Sequence, residues 1–376
     1  MGVASAALLA RDTASTSAER GAVGNRILSI DASTGRVGRA ASLPGPTADI
    51  ATSVPAIWIA EASHAAVARV DPSSGAVTDR IPLSEKPGSL TSGGGAIWVT
   101  TTGGSRIVRI DPASDTVTQS IRLAGALAEA IAYGAGRLWV AQTAGRALAE
   151  IDPATGSVLR TLSVDLKPTA VAANARAVWA AGYDEGAVER IDPRTGRAVA
   201  TVNVGQGPAD LAIGDGAVWV ANALDATVSR IDAVTSSVVA TLPVASGPAA
   251  LAVAGGSVWA SSPYAGSVSR IDPARNALAG TVRVGGRPRV AAADPATVWV
   301  AADAPGRGHR GGTLRLATAT RFPSTDPAFH LASALQFVRL AYDTLVTFQS
   351  APGPAGFRLV PDLAVALPAP TRGATT

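Results

Sequence analysis

Between residues 26 and 301 the apolar residues come in short runs, set apart by glycine, proline, aspartate and serine, and the same order of runs returns every 40 or 41 residues. The unit is clearest from Gly207 to Val244. "ADLAI", "AVWVA", "TVSRI" and "SVVATLPV" are joined by turn-forming residues, which predicts a four-stranded antiparallel meander. Its second run is apolar on both faces, with Ala217, Trp219 and Ala221 alternating with Val218 and Val220. A strand of that kind must be covered on both sides, and copies stacked face to face around an axis provide the cover. The tryptophan recurs at Trp58, Trp98, Trp139, Trp179, Trp219, Trp259 and Trp299, which are all the tryptophans of the chain. The pattern predicts an all-β fold, a seven-bladed propeller of four-stranded blades, with each tryptophan in the core.

A second periodic residue closes each third strand, at Asp31, Asp71, Asp111, Asp152, Asp192, Asp232 and Asp272. Five copies continue with proline and four carry glycine four residues after the aspartate, with both together in "DPSSG", "DPATG" and "DPRTG". Aspartate accepts from the turn's own amides, proline presets the dihedral, and glycine takes the left-handed position. Asp115, Ser236 and Asn276 replace that glycine. Arginine stands two residues before the aspartate at Arg69, Arg109, Arg190, Arg230 and Arg270, with Ser29 and Glu150 in the other two copies. These arginines are expected to pair with turn carboxylates.

The seventh copy has only two strands after Arg289, and the missing pair stands at the other end, as "RILSI" and "GRVGRAASL". N-terminal strands should therefore complete the last blade and close the ring. In such a ring the fourth-to-first and second-to-third connections share one face. That loop face carries the side chains that differ between copies. The candidate ligand-binding residues are Glu61, His64, Glu129, Tyr183, Asp184, Asp210, Asn222, Asp225, Tyr264, Arg287 and Arg289.

A hydrophobic content of 47% against 16% charge describes a folded chain. The net charge of +4 is spread over 32 basic residues without a run, so no nucleic-acid stripe is read. There is no cysteine, which excludes disulfides and thiol chemistry. His64, His309 and His330 have no metal-ligand spacing, and no phosphate-binding or dinucleotide glycine motif occurs; no metal or cofactor is expected. No apolar run is long enough for a membrane-spanning helix, and residues 1–25 have no basic start to suggest a signal peptide.

The combination of "GPADLAIGDGAVWVAN" with "VERIDPRTG" resembles the YVTN-type propeller repeats, related to the streptogramin B lyase-like superfamily, over residues 26 to 301. Streptogramin lyases are expected to work by metal-assisted elimination, with histidine and glutamate on the loop face. The chain has no histidine cluster there, which argues against that activity. After Ala301 the periodicity stops. "GGTLRLA", "STDPA", "LAYDTLV" and "LVPDLA" resemble the opening of periplasmic oligopeptide- and dipeptide-type solute-binding proteins of family 5. The segment is too short for their two lobes and reads as an incomplete mixed α/β piece, which suggests a truncated longer chain.

The expected organisation is a flexible segment 1–25, the propeller 26–301, a linker 302–310 and a partial solute-binding segment 311–370. The expected function is a non-enzymatic binding, sensor or scaffold module of an ABC-type solute uptake system, with a small-molecule, peptide or transport-protein partner. By resemblance it would be extracytoplasmic; a cytoplasmic place is open. The alternative is a lyase or hydrolase acting at the loop face. Convergent titratable groups in the channel mouth would mark that alternative.

Overall fold

The computed structural model describes residues 25–103, 106–123 and 128–303, together with two short strands, Val346–Phe348 and Leu359–Pro361. The latter two pair antiparallel, with Thr347 opposite Val360, in a second compact unit that starts at His309. The expected segments 1–25, 302–310 and 311–370 otherwise lie outside the described residues, except for Asn25, Ala302 and Asp303 at their edges.

The first unit is a ring of seven four-stranded antiparallel sheets. Blades 1 to 6 span 47–82, 87–122, 130–163, 168–203, 208–243 and 250–283. Blade 7 is composite, with strands in the order Val37–Ser42, Arg26–Asp31, Thr297–Asp303 and Arg287–Ala293. Ser29 lies opposite Trp299 and Arg26 opposite Ala302, so N-terminal strands close the last blade, as expected.

Burial follows the run pattern. In blade 5 the second strand, Ala217–Asn222, is buried throughout, while the outermost, Val238–Pro243, is mostly exposed. All seven tryptophans are buried. Each fills a seam: Trp219 packs with Leu251, Val258 and Ile271 of blade 6, and Trp58 with Leu90, Ile97 and Val99 of blade 2. The turn aspartates work as predicted. Asp71, Asp192 and Asp232 each accept the amide two residues on, and Asp115, Ser236 and Asn276 take φ of 54°, 56° and 49° where other copies use glycine.

The arginines act differently from expectation. All five lie over the tryptophan of their own blade, 5.3 to 5.9 Å from the ring centroid. Among the described residues only Arg69 of the five has a carboxylate ion pair, to Asp115 of the next blade at 2.6 Å. Arg190 donates to Val234 O and Ser236 Oγ, Arg230 to Pro273 O and Asn276 Oδ1, and Arg270 to Ser33 O. The leading aspartate of each turn is spent on its own amides, so the guanidinium reaches across the seam for carbonyls instead. Arg109 stays within its blade on Thr118, and Gln119 crosses that seam to Thr155 O. Among the described residues no helix is long and apolar enough to cross a membrane.

Candidate functional site

The first strands of the seven blades line one channel, and they enclose a cavity of about 470 Å³ that runs from Glu129 and Arg289 at the loop face down to Tyr133 and Ile213. Every blade contributes to it. Asp49, Ser89, Glu129, Thr169, Asp210, Ala250 and Arg289 come from blades 1 to 7 in turn.

Two of these acids sit at equivalent places, one residue before the aliphatic residue of the first strand, in "TADIA" and "PADLA". Asp49 accepts Ile50 N at 2.8 Å within its own blade, and Leu90 N at 2.7 Å and Ser89 Oγ at 2.9 Å from the next. Asp210 accepts Leu211 N at 2.8 Å and Leu251 N at 2.7 Å. Each carboxylate therefore bridges a seam at the channel wall. Burial, the largest effect, pushes Asp49 up to about 6 and Asp210 up to about 7; the amide bonds oppose the shift, and the charge of Asp49 adds to it at Asp210. Ala250 stands where blade 2 has Ser89. Asp210 thus lacks the third donor that Asp49 has, which acts in the same direction as the charge of Asp49 upon it.

Of the predicted residues, Glu129, Asp210 and Arg289 meet in this cavity. Arg289 is held by Asp303 at 3.0 Å. The others are spread around the rim or inside blades. Glu61 is buried against Arg80 at 3.1 Å, and Asn222 is buried and donates to Thr227 and Ser229. His64 is exposed, with Ser63 Oγ 3.0 Å from its Nδ1. Asp184 pairs with Lys167 at 3.3 Å, and Asp225 accepts Gln206 N at 2.6 Å. Tyr183 and Leu224 close over Gly207, Tyr264 lies against Gly247 with its ring outward, and Arg287 is exposed. Asp49 was not among the predicted residues. Its signal was the repeat alignment itself, which sets it in the column of Asp210.

A second cavity of about 370 Å³ opens beside the first among blades 1 to 3, and the two share Asp49, Ser89 and Glu129. Among the described residues no three His, Cys, Asp or Glu side chains are placed to hold a metal ion. The histidine-and-glutamate metal chemistry implied by the lyase resemblance therefore does not fit the side chains present, and no step below is routed through a metal.

A family profile described as outer membrane protein assembly factor BamB matches residues 63–278, more than half of the chain. No curated protein matches it. Among solved structures, hydrazine synthase from Kuenenia stuttgartiensis is similar with a TM-score of 0.61 at 18% identity, covering 70% of this chain and 94% of that one. Virginiamycin B lyase from Staphylococcus aureus gives 0.60 at 16%, covering 74% and 99%. A streptogramin B lyase gives 0.59 at 17%, covering 73% and 97%. At these identities the likeness is one of fold. These similar propellers are a synthase and lyases, which overturns the expectation of a non-enzymatic sensor, binding or scaffold module of an ABC-type uptake system. The resemblance to family 5 solute-binding proteins finds no support among them, and the residues of its motifs, apart from Val346 and Leu359–Pro361, lie outside those described.

Proposed function

The chain belongs to the family described as outer membrane protein assembly factor BamB, and from that premise we propose an enzyme of the lyase or hydrolase class acting in the loop-face mouth of the channel. The observation that carries the reading is the convergence of Asp49, Glu129, Asp210 and Arg289 on one cavity. Proton transfer is efficient when the transferring group titrates near the working pH, and Asp210 does so. Its two amide donors leave lone pairs on both oxygens, so a carboxyl held there can give a proton to a leaving group or take one from a carbon or a water. Arg289, itself tethered by Asp303, supplies a cation for the anionic end of a substrate or for charge that develops during the reaction. Asp49, with three donors, is the framing partner whose charge adds to the burial that keeps Asp210 basic.

The names of the similar lyases support an elimination first and a hydrolysis second. The family description supports an extracytoplasmic setting. The test is turnover of a panel of esters, lactones and amides led by virginiamycin B, read by mass spectrometry. Product masses that sum to the substrate mass report elimination; a sum larger by one water reports hydrolysis. Asp210→Asn is expected to lower turnover by about a hundredfold while the ring stays folded. Turnover unchanged by Asp210→Asn, or none across the panel, overturns the enzymatic reading.

A further inference from the structure

We infer that the rim of blades 5 and 6 is a shelf on which the channel site seats an uncharged aromatic ring of its substrate. From Ala233 to Ser269 the chain has no charged residue and no histidine, the longest such run it contains. The run takes in the last strand of blade 5, the first two strands of blade 6 and the loops before and after them on the loop face. Two positions of the repeat meet on that face, the residue five after the tryptophan and the residue twelve before it. In blade 4 they are Asp184 and Lys167, an ion pair at 3.3 Å. In blade 5 they are Leu224 and Gly207, and in blade 6 Tyr264 and Gly247. The same contact is ionic in one blade and apolar in the next two. In blade 7 the earlier position is Arg287, which is exposed, so charge bounds the apolar pair on both sides.

Both glycines have φ of 66°. A Cβ at Gly247 would collide with the ring of Tyr264, and one at Gly207 would stand 2.7 Å from Leu224 Cγ and 3.1 Å from Tyr183 Cζ. Without it the side chains lie directly on the backbone. Tyr264 is nevertheless 80% exposed and Leu224 59%, so the ring is seated on one side and open on the other. A ring held in this way has already given up rotamer freedom, and a second ring can pack on it at little further entropic cost. Single exposed apolar side chains are ordinary; the place of these two is not. Gly207 and Gly247 each stand two residues before a wall residue of the channel cavity, Ala209 and Ala249, and two residues span about 7 Å at most. Asp210 bonds Leu251 N across the same seam, which makes the shelf continuous with the acid. Pro248, Pro263 and Ala265, the chain neighbours of this contact, bring no side-chain donor or acceptor. An aromatic ring loses nothing there, whereas the hydroxyls of a sugar would go unpaired.

This inference deepens the enzymatic reading and rests on it for its meaning, since the ring would belong to the molecule that Asp210 works on. The binding itself is separable. The experiment is a heteronuclear NMR titration of the full chain with benzyl alcohol, with methyl β-glucoside as comparator. Benzyl alcohol is expected to give saturable shifts centred on Gly247 and Tyr264. Tyr264→Ala should weaken it about fivefold, and Tyr264→Phe, which keeps the ring, should retain it. Because the side chain is so exposed, both variants should melt like the wild type. Equal shifts with the glucoside, affinity unchanged in Tyr264→Ala, or no saturable shift up to the solubility limit of the alcohol overturn the inference. In turnover, Tyr264→Ala should raise KM for benzyl esters more than for methyl esters of the same acids, and an equal change in both would likewise overturn it. Binding without any turnover would sink the catalytic reading and keep the shelf, while turnover without binding would do the reverse.

Discussion

At the scale of single residues, the missing hydroxyl at Ala250 matters as much as the carboxyl it fails to meet. Asp210 and Asp49 hold protons in the folded ring to about 7 and 6, well above the ordinary value of 3.8, chiefly because the channel wall desolvates them. Glu189 is raised as well, again mainly by burial. The folded state therefore binds more protons than the unfolded chain between roughly pH 4 and 7, and stability must fall as pH rises through that window. The turn aspartates Asp71, Asp192, Asp232 and Asp272 shift the other way, lowered by hydrogen bonds from their own turns. What they contribute is present above the ordinary carboxylate range and is lost as pH falls below about 4. The expected melting midpoint is highest near about pH 5, with a decline toward about pH 8 that Asp210→Asn flattens. A midpoint that rises steadily from about pH 5 to 8 would show that the channel acids are not desolvated.

At the scale of strands, blade 3 breaks the arginine rule and still closes its seam. Glu150 takes the arginine's place opposite Trp139, buried, with Arg137 at 3.6 Å and Arg160 in close contact. Arg160, on the fourth strand, then donates to Pro193 O of blade 4 at 2.8 Å. The cation has moved one strand outward and the carboxylate anchors it. Restoring the common residue by Glu150→Arg should therefore destabilise, by ~3 kcal/mol or more, because three cations would crowd a buried site. Chemical denaturation measures this, and a neutral or stabilising outcome would mean that each position in the repeat acts independently. The arginine column was legible because it recurs at one spacing. The exchange in blade 3 was not, since Glu150 and Arg160 become neighbours only through the register of two strands.

At the scale of the whole molecule, blade number, closure and the uniform turn face were legible because one buried tryptophan and one turn aspartate mark every copy. The site was legible only in part. Glu129, Asp210 and Arg289 stood out as charged residues near the channel mouth, whereas Asp49, in the same column as Asp210, was passed over, and side chains such as Asn222 proved to be buried inside a blade. Function followed least, because a channel gathers its wall from seven places in the chain that no local motif unites. Removing residues 26 to 43 would strip two strands from blade 7 and leave the edge of Thr297–Asp303 unpaired. The expected result is concentration-dependent association, seen by light scattering, as free edges seek strands from other copies. A monomer with native melting after that deletion would show that six blades and a half can hold the ring.

Because Arg26 and Ala302 are cross-strand partners, the ring has no natural beginning. A short peptide joining residue 303 to residue 25, with new ends cut at the exposed turn of Arg194 and Thr195, would yield a circular permutant whose every blade but one is made from consecutive sequence. Pulled by its native ends, the same molecule would part like a zipper at blade 7, one backbone pair at a time, while the permutant would carry that weak line to blade 4.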